Sequence, residues 1–341
     1  MSYTIESVAH DWTDEVVADI NAFENAWRLE IDPEIPPMPA STTRAHRDLR
    51  EVPNTIYAAR ADGGSVVGTA WVTVDEHNPQ LVFALIAVAS AHRRRGVATS
   101  LLEKVVEQAE GLGRPNLVFG ADQVSVAPVA FGESLGASIG LRAHINRLVV
   151  ADVDRELMRA WVDESDDDYA LEWITPDGSY PDESIADMAR LRAVLLNDAP
   201  MDDVPVLKRT ISFEEIRIDE QRLAGYGKTR WTLIARHRAS GTPVGYTEIV
   251  VDPNDARTVN QGATAVDGQH RGHRLGRQMK AAMFQRVVRD LPHIRFIRTF
   301  NADSNEPMLA VNDTMGFKPH FEALRWLIDT TDAKTWLEKR R

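Results

Sequence analysis

The sequence contains no cysteine. That excludes a disulfide framework, a thiolate metal site and a cysteine nucleophile. Long apolar runs are also scarce. The longest, Leu81 to Ala89, is far too short to cross a bilayer, and the first residues lack the basic and apolar regions of a signal peptide. A soluble, cytoplasmic protein is expected, with no membrane partner. Net positive charge is missing too: the formal charge is −12 and the isoelectric point about 5.3. Bulk attraction to nucleic acid or anionic lipid is not expected, so any basic cluster must serve a local purpose.

The 341 residues suggest about two domains, and the two halves read alike. Short strand-like runs at Tyr3 to Val8 and Tyr169 to Ile174 lead into amphipathic helical sequence, Asp14 to Trp27 and Glu183 to Leu196. Hairpin-like segments follow, Thr55 to Ala61 with Val66 to Val74 and Trp231 to Ala239 with Val244 to Val251. Their turns contain Asp62-Gly63-Gly64-Ser65 and Ser240-Gly241-Thr242-Pro243. A further strand, Leu81 to Ala89 or Gly262 to Val266, then meets a basic, glycine-containing loop before a helix. Repetition at this distance reads as domain duplication, because solenoid repeats are far shorter. The expected organisation is a first domain over 1–150, a helical and acidic linker over 151–168, and a second domain over 169–341. Within the linker, Leu157, Ala160 and Trp161 suggest a short packed helix. Asp163-Glu164-Ser165-Asp166-Asp167-Asp168 reads as solvated chain, since the spacing and glycine of a calcium loop are absent. Trp161, Trp173, Trp231 and Trp326 are expected in the core or at a domain interface.

The basic loops carry the chemistry. In the first half, Ala87-Val88-Ala89 end a strand; Arg93-Arg94-Arg95-Gly96-Val97-Ala98 then open a helix whose Leu101, Leu102, Val105, Val106 and Ala109 form an apolar stripe. First-turn amides lack intrahelical partners and point at an incoming anion, which the helix dipole and the arginines also favour. The second half repeats the design. Ala265-Val266-Asp267 lead into His270-Arg271-Gly272-His273-Arg274-Leu275-Gly276, then a helix presenting Leu275, Met279, Ala282, Met283 and Val287 to a core. His270 and His273 do not read as a metal pair, for want of a third ligand at suitable spacing; no metal is expected.

Both stretches resemble the acyl-CoA-binding signature of the GCN5-related N-acetyltransferases (GNAT), Arg/Gln-x-x-Gly-x-Gly/Ala. Arg93, Gly96 and Ala98 match it; so do Arg271 and Gly276, with Arg274 at the middle glycine. The two-domain layout is similar to that of mycothiol-synthase-like acetyltransferases. The resemblance implies an α/β fold of two tandem GNAT domains, each a mixed twisted sheet flanked by helices. It implies acetyl-CoA as cosubstrate, its pantetheine running along Ala87 to Ala89 and Ala265 to Asp267, in a gap where one strand splays from its neighbour.

The resemblance also implies a tyrosine acid in the last helix of each domain, but Asn312 and Gly132 stand at those positions. The second half keeps polar residues there, Asn301, Asp303, Asn305 and Asn312, so catalysis is expected in it. Glu248 is the candidate base, with Asn301 and Asn312 beside the reacting centre. Asn305 either contacts the cofactor or caps the last helix. The expected activity is acetyl transfer to the amine of a small molecule by direct attack in a ternary complex. Acetylation of a cysteinyl glycoside, or a non-catalytic acyl-CoA sensor, are the alternatives. The acceptor and the oligomeric state are not written in the sequence.

Overall fold

The computed structural model describes residues 3–8, 12–48, 54–123, 126–164, 166–174 and 178–340. The first half runs β1 (Tyr3–Ser7), α1 (Asp14–Ile31), α2 (Ala40–Asp48), β2 (Asn54–Ala61), β3 (Val66–Thr73), β4 (Leu81–Val88), α3 (Val97–Gly111), β5 (Asn116–Gln123), α4 (Val126–Leu135) and β6 (Ser138–Val149). After α5 (Arg155–Asp163), the second half repeats that order. It runs β7 (Tyr169–Trp173), α6 (Ile185–Asp198), α7 (Phe213–Gly225), β8 (Thr229–His237), β9 (Thr242–Val251), β10 (Thr258–Val266), α8 (Leu275–Asp290), β11 (Phe296–Ala302), α9 (Glu306–Met315), β12 (Lys318–Asp329) and α10 (Thr330–Glu338).

Two compact units result, and neither is continuous in sequence. Unit 1 holds the chain up to residue 142 with 201–207 and 321 onward; unit 2 holds 143–200 and 208–320. A single boundary near residue 150 therefore does not separate them. The reason is an exchange of final strands. Unit 1 has strand order β1-β2-β3-β4-β5-β12, and unit 2 has β7-β8-β9-β10-β11-β6. In unit 1, β12 pairs antiparallel with β5 over Glu322–Asp329. In unit 2, β6 pairs antiparallel with β11 over Ala143–Val149.

Each sheet contains one parallel pair that opens. Residues 81–84 of β4 pair with residues 116–119 of β5, and the rest of β4 is not covered by β5. In unit 2 only Thr258, Val259 and Asn260 of β10 pair with β11. A helix packs behind each opening. On α3, Leu101, Leu102, Val105 and Ala109 are fully buried against the sheet and against Ala333 and Leu337 of α10. Each such leucine contributes about 1.5–3 kcal/mol. On α8, Leu275, Met279, Met283 and Val287 do the same in unit 2, as their spacing predicts, while Ala282 is only half-buried. Lys280 of the same helix is buried as well, its ammonium 5.1 Å from the centre of the Phe317 ring.

The linker is more structured than its composition suggests. Asp154 caps α5 through bonds from the amides of Glu156 and Leu157, both 2.9 Å. Met158 and Trp161 are buried, whereas Ala160 is exposed. The carboxylates of Glu164 and Asp166 are not simply solvated: both engage unit 2, as described below. Ser165 lies outside the described residues. Trp173 is not a core residue, whereas Trp231 packs against the unit 2 core. Trp173 is exposed and Trp231 half-buried, and the Arg286 guanidinium lies 4.3 and 4.4 Å from their ring centres.

Candidate cofactor clefts and a buried polar network

The two basic loops have the same conformation built from interchanged residues. In unit 1, Arg94 (φ 60°) and Gly96 (φ 85°) are left-handed; in unit 2, Gly272 (φ 87°) and Arg274 (φ 62°) occupy the same two places. Val97 and Leu275 follow them into the core and open α3 and α8. At neither helix does the N-cap residue supply a side-chain bond to the first-turn amides. Those donors are left for an external acceptor. Even the flanks repeat: Tyr3 meets His92 Nδ1 at 3.4 Å, and Tyr169 meets His270 Nδ1 at 2.9 Å.

The signature arginines are each held by a strand carbonyl and a carboxylate. Arg93 Nε donates to the Val88 carbonyl at 3.0 Å and its Nη2 pairs with Glu30 at 2.7 Å. Arg271 does the same with the Val266 carbonyl, 3.1 Å, and Asp198, 2.6 Å. Each guanidinium ties the loop back to its strand and to the end of the first helix of its unit. Exposed Arg94, which lines the cleft, makes no ion pair among the described residues. Arg95 is exposed too.

In unit 1 the loop opens onto a cleft of about 410 Å³ that enters the gap between β4 and β5. Ile86, Ala87 and Val88 wall one side, and Phe119, Gly120 and Ala121 the other. The Ala89 amide donates to the Val67 carbonyl at 3.0 Å. By the alternation of strand groups, Ala87 also faces β3, so Ile86 and the Val88 amide point at the uncovered edge. Of the expected set Ala87-Val88-Ala89, the strand pairing thus engages Ala87 and Ala89 with β3, and the free edge is offered by Ile86 and the Val88 amide. Asp267 is the counterpart of Ala89: its amide donates to the Val244 carbonyl at 2.8 Å, and its carboxylate takes Arg190 at 3.0 Å.

The unit 2 cleft, about 480 Å³, is lined by Thr264, Ala265, Val266, His270, Arg271, Gly272, Arg274, Leu275 and Gly276, with Asn305 opposite, but by no residue of β11. It is also electrostatically quieter. Glu164 pairs with Arg277 and, at 3.3 Å, with Arg274; Asp166 accepts from His273 at 2.8 Å. Hydrogen bonding from Arg277 and from His273 holds the carboxyls of Glu164 and Asp166 below their usual range. Asn305 does cap α9, through a 3.4 Å bond from the Met308 amide.

Glu248 lies on β9, on the face under α6 and α7, and is 7% exposed. Tyr180 donates to it at 3.4 Å, and Arg230 Nε is 3.4 Å away. Arg230 also pairs with Asp219, which Arg192 reaches at 2.8 Å and Arg222 joins. Burial works to raise Asp219, but the guanidiniums of Arg230, Arg192 and Arg222 outweigh it and hold its carboxyl well below the usual range. Burial, then the charge of Glu248, push the Tyr180 phenol up to about 12. Tyr246 is raised for the same two reasons. Local spacing does not signal the direct partners of Glu248, because Tyr180 and Arg230 come from separate segments of the chain. Gly262, exposed at a bulge of β10, lies against Glu248, and a Cβ there would fall 3.1 Å from its Oε1; Glu248 lines neither cleft. By register, Trp71 holds the Glu248 place in unit 1, within an apolar cluster with Trp12, Val17 and Ile20.

Asn301 and Asn312 meet each other instead of a cleft. Asn312 Nδ2 donates to Asn301 Oδ1 at 2.8 Å, and Asn146 adds a 3.4 Å bond to the same oxygen. Asn312 is 1% exposed, and neither residue lines the unit 2 cleft. Among the described residues no group of His, Asp and Glu is arranged to hold a metal ion, and no helix is long and apolar enough to cross a membrane.

Residues 21–127, within unit 1, match the Acetyltransferase (GNAT) family. The solved structure of a tandem GNAT protein from the clavulanic acid biosynthesis pathway is 24% identical, with a TM-score of 0.78 over 96% of this chain and 99% of that one. A GCN5-related N-acetyltransferase from Sphaerobacter thermophilus is 13% identical, with a TM-score of 0.68 over 96% of each chain. No curated protein sequence matches. With a loop, an opened strand pair and a cleft repeated in both units, the chain is a tandem GNAT protein in fold, and its first unit carries the match to the acetyltransferase family.

Proposed function

We propose that the protein is an acetyl-CoA-dependent N-acetyltransferase of a small-molecule amine, with the basic loop of each unit holding acyl-CoA and unit 2 carrying the chemistry. The observation behind this division is the contrast between Trp71 and Glu248 at one place in the repeated sheet. At this place, next to the opened strand, unit 2 has a buried carboxylate where unit 1 has an indole. The unit 1 cleft fits the cofactor: unpartnered first-turn amides suit a pyrophosphate, and the uncovered edge at Ile86 and Val88 suits the amides of pantetheine.

Acetyl-CoA supplies an activated acyl thioester. Glu248 takes a proton from the acceptor ammonium, directly or through water; the neutral nitrogen then forms the new C–N bond as the C–S bond breaks, and CoA leaves as a thiolate that takes up the proton shed by the acylated nitrogen. Tyr180 and Arg230 orient that carboxylate. Asn301 and Asn312 brace β11 against α9 and take no proton, since amides do not titrate.

Acetyl-CoA binding to the native state raises the melting temperature. Gly96→Val, at a left-handed position that valine does not tolerate, reduces that shift, and combining it with Gly272→Val removes most of it. Glu248→Gln keeps the shift and lowers turnover about 10²-fold or more. Full turnover by Glu248→Gln across an amine panel would reject unit 2 as the catalytic one.

A further inference from the structure

Gly132, on α4, stands where the family places its tyrosine, and the volume is already taken. A Cβ on Gly132 would fall 2.5 Å from Cδ2 and 2.6 Å from Cε2 of Trp326. Trp326 belongs to β12, paired opposite Phe119 of β5, and both residues line the unit 1 cleft. It is 5% exposed, and its Nε1 is shielded from solvent without a hydrogen-bond partner. A buried donor left unmatched is costly, and such groups normally have partners. The surrounding wall is apolar, formed by Leu85, Phe119, Ala121 and Phe131.

We propose that Trp326 Nε1 donates a hydrogen bond to the thioester carbonyl of an acyl-CoA in unit 1, and thereby sets the preference of this cleft for acyl-CoA over free CoA. The inference rests on the reading of this cleft as an acyl-CoA site. An indole N–H donates and neither accepts nor titrates, so it reads a carbonyl without protonating a thiolate. Free CoA offers a thiol there, a weak acceptor, while the acetyl methyl suits the apolar wall.

The test is calorimetric titration of the full chain carrying Gly272→Val, so that binding reports on unit 1. Acetyl-CoA should bind more tightly than CoA. Trp326→Phe, which keeps a ring against Gly132, should erase roughly five- to tenfold of that preference, the worth of one net hydrogen bond, read as the ratio of the two affinities. Gly132→Ala, which displaces the indole, should do likewise. In protein labelled with ¹⁵N-tryptophan, the indole signal absent from Trp326→Phe should shift with acetyl-CoA and less with CoA. An unchanged acetyl-CoA to CoA ratio in Trp326→Phe, or a signal unmoved at acetyl-CoA saturation, overturns the role of Trp326. If neither ligand binds, or if adding Gly96→Val leaves binding intact, the cleft assignment fails first and the inference with it.

Discussion

Arg274 holds the left-handed place that Gly96 holds in the other unit, with φ 62° against 85°. One turn of the same loop earlier, the exchange runs the other way, Arg94 against Gly272. The loop needs two left-handed residues, and each copy supplies one as glycine and one as arginine. An arginine there accepts backbone strain in exchange for a cation at the mouth of the cleft.

Arg274→Gly should therefore stabilise the protein. A side chain in this region costs roughly 1–2 kcal/mol, and glycine gives back part of that through its freer unfolded chain. The lost pair with Glu164 is exposed and contributes little. A calorimetric melt should show a modest rise in melting temperature. A fall would mean that the Glu164 contact outweighs the strain.

Lys280 sets a pH dependence. Burial lowers its pKa from 10.5 to about 7. Between those values the unfolded chain binds more protons than the folded one, so stability rises with pH across that window; below pH 7 the whole penalty is present. Lys280→Met should remove a destabilisation on the order of a few kcal/mol. Its advantage in urea denaturation should be largest near pH 7 and close towards pH 10. An advantage independent of pH would contradict this.

Asn312→Tyr would restore the residue the family uses, but the structure leaves it no room. Asn312 is buried and bonded to Asn301. Overpacking and the loss of that bond should together cost about 2–4 kcal/mol, read as a lower denaturation midpoint with no gain in turnover. A stable variant with raised turnover would place position 312 at the reacting centre after all.

A fragment ending at residue 150 should not fold cooperatively. It lacks Leu324, Trp326, Ile328, Ala333 and Leu337, all members of the unit 1 core. Circular dichroism of the fragment should show no sharp melt, and co-expression with the remainder of the chain should restore one. A cooperative melt of the fragment alone would show that β12 is dispensable.

These contrasts mark what a sequence can show. The paired strand-to-helix loops were legible because Arg93 to Ala98 and His270 to Gly276 are contiguous, and their conformation is set locally. The roles of Arg93 and Arg271 were not, because Glu30 and Asp198 lie far away along the chain and the same charges fit a phosphate contact. The strand exchange left no trace either: β6 and β12 have the same alternation whichever sheet they join. Asn301 and Asn312 read as site residues because polar side chains near a last helix suggest a cleft. Folding turned them towards each other, as buried amides require partners.

The exchange of final strands also orders events in time. β5 presents an unpaired edge until β12, some two hundred residues later in the sequence, has been synthesised. At roughly 5–20 residues per second that edge stands open for about 10–40 s on the ribosome, a template for pairing with a neighbouring nascent chain. Unit 1, first to be made, is thus the last to close, and the yield of the protein should depend on how well a cell shields that interval.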